Sequence, residues 1–225
     1  MNHRSFMLRV APVAFIAAVL SLSLVPTIFA SECPGPSHDS QVPCGIILVG
    51  SNAGVADSRG EFIIVLRDLA QNPVPGCEVT IDFRACRPDI RIAADQPHPG
   101  LRVECDANGS RILATSDANG IAVFRIVGAA SAGSGGPVAA GFKCATVYAG
   151  VANLGTINVA AFDLNGGGGV NPADLSLFLP DSFDGDFEGR SDYNCSNTVN
   201  PTDMSILIQA ALGGGSFHSG AMFCS

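Results

Sequence analysis

DLNGGGGVNPADLS at residues 163–176 and DYNCSNTVNPTDMS at residues 192–205 are two copies of one pattern. Seven of the fourteen aligned positions are identical, and the match in apolar character continues at Leu177 and Ile206. Counted from the first Asp of each copy, residues that can offer oxygen recur at alternate positions and again at the twelfth. This is the spacing of a twelve-residue calcium loop, in which positions 1, 3, 5, 9 and 12 and the carbonyl of position 7 surround the cation.

The two copies therefore predict two Ca²⁺ sites. The first copy offers Asp163, Asn165, the carbonyl of Gly169, Asn171 and Asp174. The second copy offers Asp192, Asn194, Ser196, the carbonyl of Thr198, Asn200 and Asp203. Because Gly167 supplies no side chain at position 5, we expect the first loop to bind more weakly than the second. With only two acidic ligands in each loop, we expect dissociation constants of roughly 10⁻⁴ to 10⁻³ M.

Position 6 of such a loop requires a left-handed backbone. Gly168 and Asn197 occupy it, and these are the residue types that tolerate this conformation best. At position 8, Val170 and Val199 are expected to pair in the core.

Each copy ends with residues that are typical of the start of a helix. Asn171 and Asn200 are typical N-cap residues, and Pro172 and Pro201 are typical of the first helical position. We expect the first helix to end at Pro180. Helical spacing after the second copy predicts an amphipathic helix that ends at Gly213, with its apolar face formed by Met204, Leu207, Ile208, Ala211 and Leu212.

Two loop-and-helix units of this kind, with Asp at position 12 and no helix before the loop, resemble a dockerin of the type I pattern D-x-N-x-D-G-x-V-N-x-x-D. We assign residues 161–225 to this dockerin-like calcium-binding module. The resemblance implies a cohesin-like or other surface protein as the partner. In dockerins, positions 10 and 11 determine which partner is recognised. Here these positions are Pro172-Ala173 and Pro201-Thr202, which lack the usual pair of hydroxyl groups.

Short apolar runs separated by turn-forming residues fill the middle of the chain, which is typical of β-strands. The runs are Ile46–Val49, Phe62–Leu66, Val79–Phe83, Ile121–Ile126, Ala145–Ala149 and Leu154–Val159. Strong turn sequences lie between them at 72–76 and 117–120. Six or seven short strands in this span predict a two-sheet sandwich.

Residues 65–68, 72–80 and 115–124 resemble the invasin-type bacterial Ig-like domain, in which an N-P-V-P-G turn and a T-D-x-N-G-x-A-x-F hairpin recur in this order. The expected fold is therefore mainly β, with an Ig-like sandwich over residues 31–160 followed by the small helical module. We interpret residues 87–111 as a disulfide-tied insertion or long loop, and residues 128–141 as a flexible loop.

The first thirty residues have the layout of a secretory signal peptide, with Arg4 and Arg9 before an apolar stretch and a small residue at Ala30. We expect cleavage near Ala30, a secreted or cell-surface product and no later membrane span. Removing this leader takes away two arginines and no acid, so the net charge falls from −8 to −10. Such an acidic chain is a poor binder of nucleic acid, and its late acidic residues favour cations as partners.

All eight cysteines lie beyond the leader, which in an exported chain predicts disulfides. Eight cysteines allow 105 pairings, and proximity in sequence favours Cys33 with Cys44 and Cys195 with Cys224. The chain contains no CxxC pair that would indicate a zinc site.

Signals for catalysis are weak, because His38, His98 and His218 adjoin no convincing acidic partner. We therefore expect a secreted, non-catalytic calcium-binding protein that acts in protein assembly or surface attachment. Two alternatives remain open, a calcium-stabilised adhesin or spacer without a cohesin partner, and a small secreted hydrolase.

Overall fold

A computed structural model describes residues 33, 40–107, 109–131, 141–183, 188–212 and 223–224. Residues Ser31–Ser225 form one compact unit. The leader expected at residues 1–30 lies outside the described residues.

The described residues form twelve β-strands and two α-helices. The strands are β1 (Gly45–Leu48), β2 (Ser51–Asn52), β3 (Val55–Ala56), β4 (Glu61–Val65), β5 (Glu78–Asp82), β6 (Ile90–Ile92), β7 (Arg102–Asp106), β8 (Gly109–Thr115), β9 (Ile121–Arg125), β10 (Gly128–Ala130), β11 (Ala145–Ala149) and β12 (Ala152–Ala161). The helices are α1 (Pro172–Phe183) and α2 (Pro201–Leu212). Short 3-10 turns occur at Ser58–Gly60, Arg84–Cys86 and Gly189–Ser191.

The largest sheet has six strands in the order β1-β12-β11-β5-β8-β7. Its β1 and β12 run parallel, with Gly45 opposite Asn158, whereas the other neighbours are antiparallel. The first strand is thus paired with the strand that leads into the first of the two copied loops.

Three two-stranded sheets complete the β structure: β4 with β9, β6 with β10, and β2 with β3. An isolated bridge pairs Val49, directly after β1, with Val127, directly before β10. These small sheets enclose the same core as the large one, and Ile64, Phe124 and Ile92 in them are fully buried.

One hydrophobic core extends from the strands into the helices. Phe162, which directly follows β12, is fully buried, as is Phe178 of α1. Leu207 and Ala210 of α2 belong to the same cluster of buried residues. The helices are therefore held by the apolar surface of the β structure.

The fold-class prediction of an Ig-like sandwich followed by a small helical dockerin-like module with two EF-hand-like loops was wrong. The mainly β character is present, but an Ig sandwich divides its strands between two antiparallel sheets. Here six strands form one mixed sheet, and the helices share its core. The physical reason is that alternation of apolar residues identifies a strand but does not identify its neighbour in the sheet.

The interpretation of residues 87–111 as a long loop was also wrong, because this segment contains β6, β7 and the start of β8, whereas the expected disulfide tie is present at Cys105, which is bonded to Cys224. Strand β8 lies between β5 and β7 in the large sheet. In residues 128–141, the first three form β10, and residues 132–140 lie outside the described residues. The six predicted strands are confirmed, and they correspond to β1, β4, β5, β9, β11 and β12.

All eight cysteines are paired in four disulfides: Cys33–Cys77, Cys44–Cys195, Cys86–Cys144 and Cys105–Cys224. Both favoured pairings were wrong, because the tertiary fold brings together cysteines that are up to 151 residues apart. Four disulfides indicate an extracellular or secreted protein. Neither described helix has the length and apolar character needed to cross a membrane.

Candidate metal centre

The first loop, residues 163–174, begins where β12 ends and leads into α1. The backbone N–H of Ala130 in β10 donates to the carbonyl of Asp163 at 2.8 Å. The second loop, residues 192–203, follows the 3-10 turn Gly189–Ser191 and leads into α2. The first loop is therefore fixed at its start by the β core, the second loop starts at a 3-10 turn, and each loop is continued by a helix.

The carboxylate at position 1 organises the first half of each loop. Asp163 accepts backbone N–H groups from Gly167, Gly168 and Gly169 at 2.9–3.1 Å. Asp192 accepts the N–H groups of positions 5 and 6, which are Ser196 and Asn197, at 2.9 and 2.8 Å. The two copies thus share the hydrogen bonds from positions 5 and 6.

The carboxylate at position 12 reaches back across each loop. Asp174 accepts the N–H groups of positions 2, 3 and 9 at 2.8–3.1 Å. Asp203 accepts from the same three positions at 2.9–3.1 Å. This arrangement draws positions 1 and 12 of each loop towards the same centre.

The predicted left-handed residues at position 6 are confirmed, with φ of 98° at Gly168 and 59° at Asn197. Position 4 is left-handed as well, at Gly166 and Cys195, with φ of 66° and 61°. The two loops therefore follow a similar backbone path although only one of them is rich in glycine.

The helix starts are confirmed. The Oδ1 atoms of Asn171 and Asn200 accept the N–H groups of Ala173 and Thr202, each at 2.9 Å, as N-caps do. Helix α1 continues through Pro180 to Phe183, so the predicted end at Pro180 was wrong. Helix α2 ends at Leu212, and Gly213 lies outside the described residues.

The buried face of α2 differs from the predicted one. Asp203, Leu207 and Ala210 are buried, whereas Ile208 and Leu212 are 39% and 82% exposed. The helix rests on the core through a narrower apolar stripe than the spacing indicated. Val170 and Val199 are half-buried against the core, and their mutual contact stays a prediction.

The four loop carboxylates are buried, with Asp174 and Asp203 fully inaccessible and Asp163 and Asp192 1% and 3% exposed. In the described part of the chain, no basic side chain forms an ion pair with any of them. Burial raises the pKa of Asp174 and of Asp203, and the nearby carboxylates of Asp163 and Asp192 raise them further, against the effect of the backbone hydrogen bonds. Each loop therefore concentrates two acids without a protein counter-charge.

Other predicted ligands are also engaged within the loops. The Asn165 and Asn194 Oδ1 atoms accept the N–H groups of position 5. The Asn171 and Asn200 Nδ2 groups donate to the carbonyls of Gly169 and Thr198 at 2.9 and 3.2 Å. Ser196 Oγ also donates to the Thr198 carbonyl, at 2.9 Å. The eleven predicted residues thus form two closed hydrogen-bonded clusters.

These hydrogen bonds leave ligand capacity on the carboxylates. An ionised carboxylate can accept about four hydrogen bonds, whereas Asp163 and Asp174 accept three each from the backbone, and Asp192 accepts two. Among the described residues, no group of three or more His, Cys, Asp or Glu is placed to hold a metal. Each loop has only two acidic ligands, because its other predicted ligands are amide, hydroxyl and carbonyl oxygens, and Cys195 of the second loop is bonded to Cys44.

Sequence reasoning missed two connections of the second loop. Tyr193, at position 2, lies with its ring centroid 5.2 Å from that of Phe162 and 6.2 Å from that of Phe178. Cys195, at position 4, is bonded to Cys44 at the entrance to β1. The aromatic residue at position 2 was a usable signal, whereas the disulfide partner could not be read from the sequence.

A buried ion pair supports the segment between α1 and the second loop. Arg190 donates to both carboxylate oxygens of Asp181 at 2.9 and 2.7 Å, and Ser191 Oγ donates to the same carboxylate. Asp181 is 4% exposed and Ser191 is inaccessible. The position of the second loop therefore depends on this pair as well as on the core.

Comparison of the chain with protein-family models, curated proteins and solved structures gives no significant match.

Proposed function

We propose that this is a secreted, non-catalytic protein that binds Ca²⁺ in its two copied loops and attaches to another extracellular protein through the helices that follow them. The observation that carries the proposal is the repeated arrangement of buried carboxylates at positions 1 and 12, each pair without a basic partner in the described residues.

Two like charges in a desolvated loop are unfavourable unless a cation or a proton compensates them. At neutral pH, a divalent cation with oxygen ligands is the compensation that this donor set suits best, because carboxylate, amide and carbonyl oxygens are the ligands that Ca²⁺ prefers. Asp163 with Asp174 would hold the first ion, and Asp192 with Asp203 the second. Calcium would stabilise the folded protein by binding it in preference to the unfolded chain.

The attachment role is supported by apolar residues that the two helices expose at equivalent positions of the repeat. Leu179 and Ile208 are 36% and 39% exposed, and Phe183 and Leu212 are 79% and 82% exposed. Large apolar side chains exposed together favour contact with another protein. Since each helix begins directly at a loop, calcium would control how firmly these residues are presented.

Calorimetric titration of the oxidised, chelator-treated protein with CaCl₂ tests the calcium site. We expect binding at two sites with dissociation constants of roughly 10⁻⁴ to 10⁻³ M, and loss of one site in each of the variants Asp174→Asn and Asp203→Asn. Asp95→Asn is the matched control, because it removes the same charge from an exposed position. Absence of binding heat, together with the same unfolding temperature in calcium and in EDTA, would contradict the proposal.

Binding of the labelled protein to the surface of the cells that secrete it tests the attachment role. We expect binding in calcium, little binding in EDTA, and a loss in the double variant Phe183→Ser/Leu212→Ser. Val151→Ser is the control, because Val151 is also an exposed apolar residue but lies in the turn between β11 and β12. Equal binding by all three proteins in EDTA and in calcium would rule out attachment through the helices.

A further inference from the structure

The Cys44–Cys195 disulfide lies inside the second candidate calcium loop. Cys195 is at position 4, between the predicted ligands Asn194 and Ser196, and its φ is 61°. A covalent bond at this position restricts the conformation of the backbone on either side of it, at positions 3 and 5.

The other end of this bridge is fixed in the large sheet. Cys44 directly precedes β1, and its carbonyl accepts the N–H of Asn158 in β12 at 3.1 Å. Asn158 is itself buried, and its Oδ1 accepts the N–H of Lys143 at 2.9 Å. The surroundings are close-packed, since a Cβ added at Gly45 would lie 3.1 Å from the Cys195 Sγ atom. The bridge therefore ties a surface loop to a rigid strand.

The first loop has no equivalent bond. Gly166 occupies position 4 there, and the loop is attached through the hydrogen bond from Ala130 to Asp163 and through its direct continuity with β12. A change at the bridge would therefore act on one loop and spare the other.

The bridge is also accessible. Cys44 is exposed and Cys195 is half-buried, whereas Cys77 and Cys86 in two of the other bridges are 1% and 2% exposed. Both cysteines line a cleft of about 180 Å³, which Arg59, Glu61 and Asn194 also border. The bridge therefore borders a cleft that is open to a small thiol.

We propose that the Cys44–Cys195 disulfide is a redox control of calcium binding at the second loop, an inference that rests on the proposed calcium function. A dithiol reductant supplies two electrons and two protons, its thiolate attacks one sulfur of the bridge, and its own sulfur atoms end as a disulfide while Cys44 and Cys195 leave as thiols. The freed loop must then lose additional conformational entropy to gather its ligands, so its affinity for Ca²⁺ falls.

The first test removes the bridge by Cys44→Ser together with Cys195→Gly. Glycine is the residue that the first loop has at position 4, Gly166, and it tolerates the left-handed backbone of this position. The control is Cys105→Ser with Cys224→Ser, a bridge in which neither cysteine is buried and which is not part of either loop. Each pair of changes is made in the Asp174→Asn background, so that titration with CaCl₂ reports the second loop alone.

We expect the affinity of the second loop to fall about tenfold or more without Cys44–Cys195 and to change less than about twofold in the control. A change below twofold in both variants would overturn the redox inference while leaving calcium binding intact. Absence of binding to the unmodified oxidised protein would overturn the calcium proposal and, with it, this inference.

The second test uses the native protein and does not depend on the folding of a variant. Coupling between two equilibria is reciprocal, so calcium must oppose reduction of this bridge by the same factor by which reduction weakens calcium binding. The protein is equilibrated in dithiothreitol buffers with CaCl₂ or EDTA, and the free thiols are alkylated and mapped by mass spectrometry. We expect calcium to lower the reduced fraction at Cys44 and Cys195 more than at the other cysteines, and equal fractions at these two cysteines with and without calcium would overturn the inference.

Discussion

The phenolic hydroxyl of Tyr193 donates a hydrogen bond to the carbonyl of Ala161 at 3.0 Å. Tyr193 is at position 2 of the second loop, and Ala161 is the last residue of β12, two residues before the first loop. The bond is buried, so the carbonyl has no access to solvent that would replace the hydroxyl. One contact thus holds the second loop against the strand from which the first loop departs.

Replacing Tyr193 by Phe removes this donor while keeping the ring between Phe162 and Phe178. We expect the free energy of unfolding to fall by about 1 kcal/mol, or somewhat more because the Ala161 carbonyl stays buried. Urea unfolding in EDTA measures the change. Tyr148→Phe is the control, because Tyr148 is only half-buried. Equal stability of the two variants would show that the hydroxyl of Tyr193 contributes nothing.

The Arg190–Asp181 pair provides a second prediction. The side chains of Arg190 and Asp181 are 11% and 3% exposed, so removal of the arginine leaves a buried carboxylate. We expect Arg190→Leu to lower the free energy of unfolding by about 3–5 kcal/mol.

The double variant Arg190→Leu/Asp181→Leu separates the lost charge from the lost packing. It removes both charges, and we expect it to regain a large part of the stability. Thermal and urea unfolding of the three proteins measure the effect. A double variant as unstable as Arg190→Leu would show that the uncompensated carboxylate is not the cause.

Position 5 distinguishes the two loops, because Ser196 has a hydroxyl where Gly167 has no side chain. We expect Ser196→Ala to weaken calcium binding at the second loop by about tenfold, or about 1.4 kcal/mol, and to make the two loops similar in affinity. Two-site titration with CaCl₂ measures this, with Ser205→Ala on the exposed face of α2 as the control. An unchanged affinity in Ser196→Ala would show that position 5 contributes no ligand.

The environment of Asp82 predicts how the free energy of unfolding changes in acid. Burial raises its pKa, but the hydrogen bonds and the charge of Arg84, together with the charge of Arg111, outweigh burial and hold the pKa below its ordinary value of 3.8. A carboxyl with a lowered pKa in the folded protein contributes stability above its unfolded pKa, and this contribution is lost as the pH falls through the folded pKa.

The unmodified protein should therefore lose stability more steeply than Asp82→Asn as the pH is lowered from about 4 to 2. Urea unfolding midpoints over this range measure the difference, and Asp95→Asn serves as the control for a change of charge. A constant difference between the unmodified protein and Asp82→Asn at all pH values would contradict the prediction.

Local structure was largely predictable. The helix starts at Pro172 and Pro201 and the left-handed residues at position 6 depend on a few neighbouring residues, and all of them are confirmed. Six strands were also found from short apolar runs. By contrast, β6, β7 and β8 were not predicted, because residues 87–111 fit the invasin-type pattern poorly and were interpreted as an insertion or long loop; in the structure these strands pair with β10, β8 and β5.

The candidate site likewise has features that the sequence predicted and features that only the fold decided. The repeat alone identified the eleven candidate ligand residues, whereas the burial of Asp174 and Asp203 comes from the core against which the loops are packed. The disulfide from Cys195 to Cys44 spans 151 residues, and spacing along the chain contains no information about such a pair.

The sequence by itself determined the two copied loops, their turn residues and the helices that follow them, because hydrogen bonds between residues a few positions apart are sufficient to specify these features. The tertiary structure alone decided that β1 pairs with β12, that the helices share the core of the strands, and that one loop is tied to the sheet by a disulfide. These features depend on which distant surfaces bury each other, and burial is a property of the whole chain.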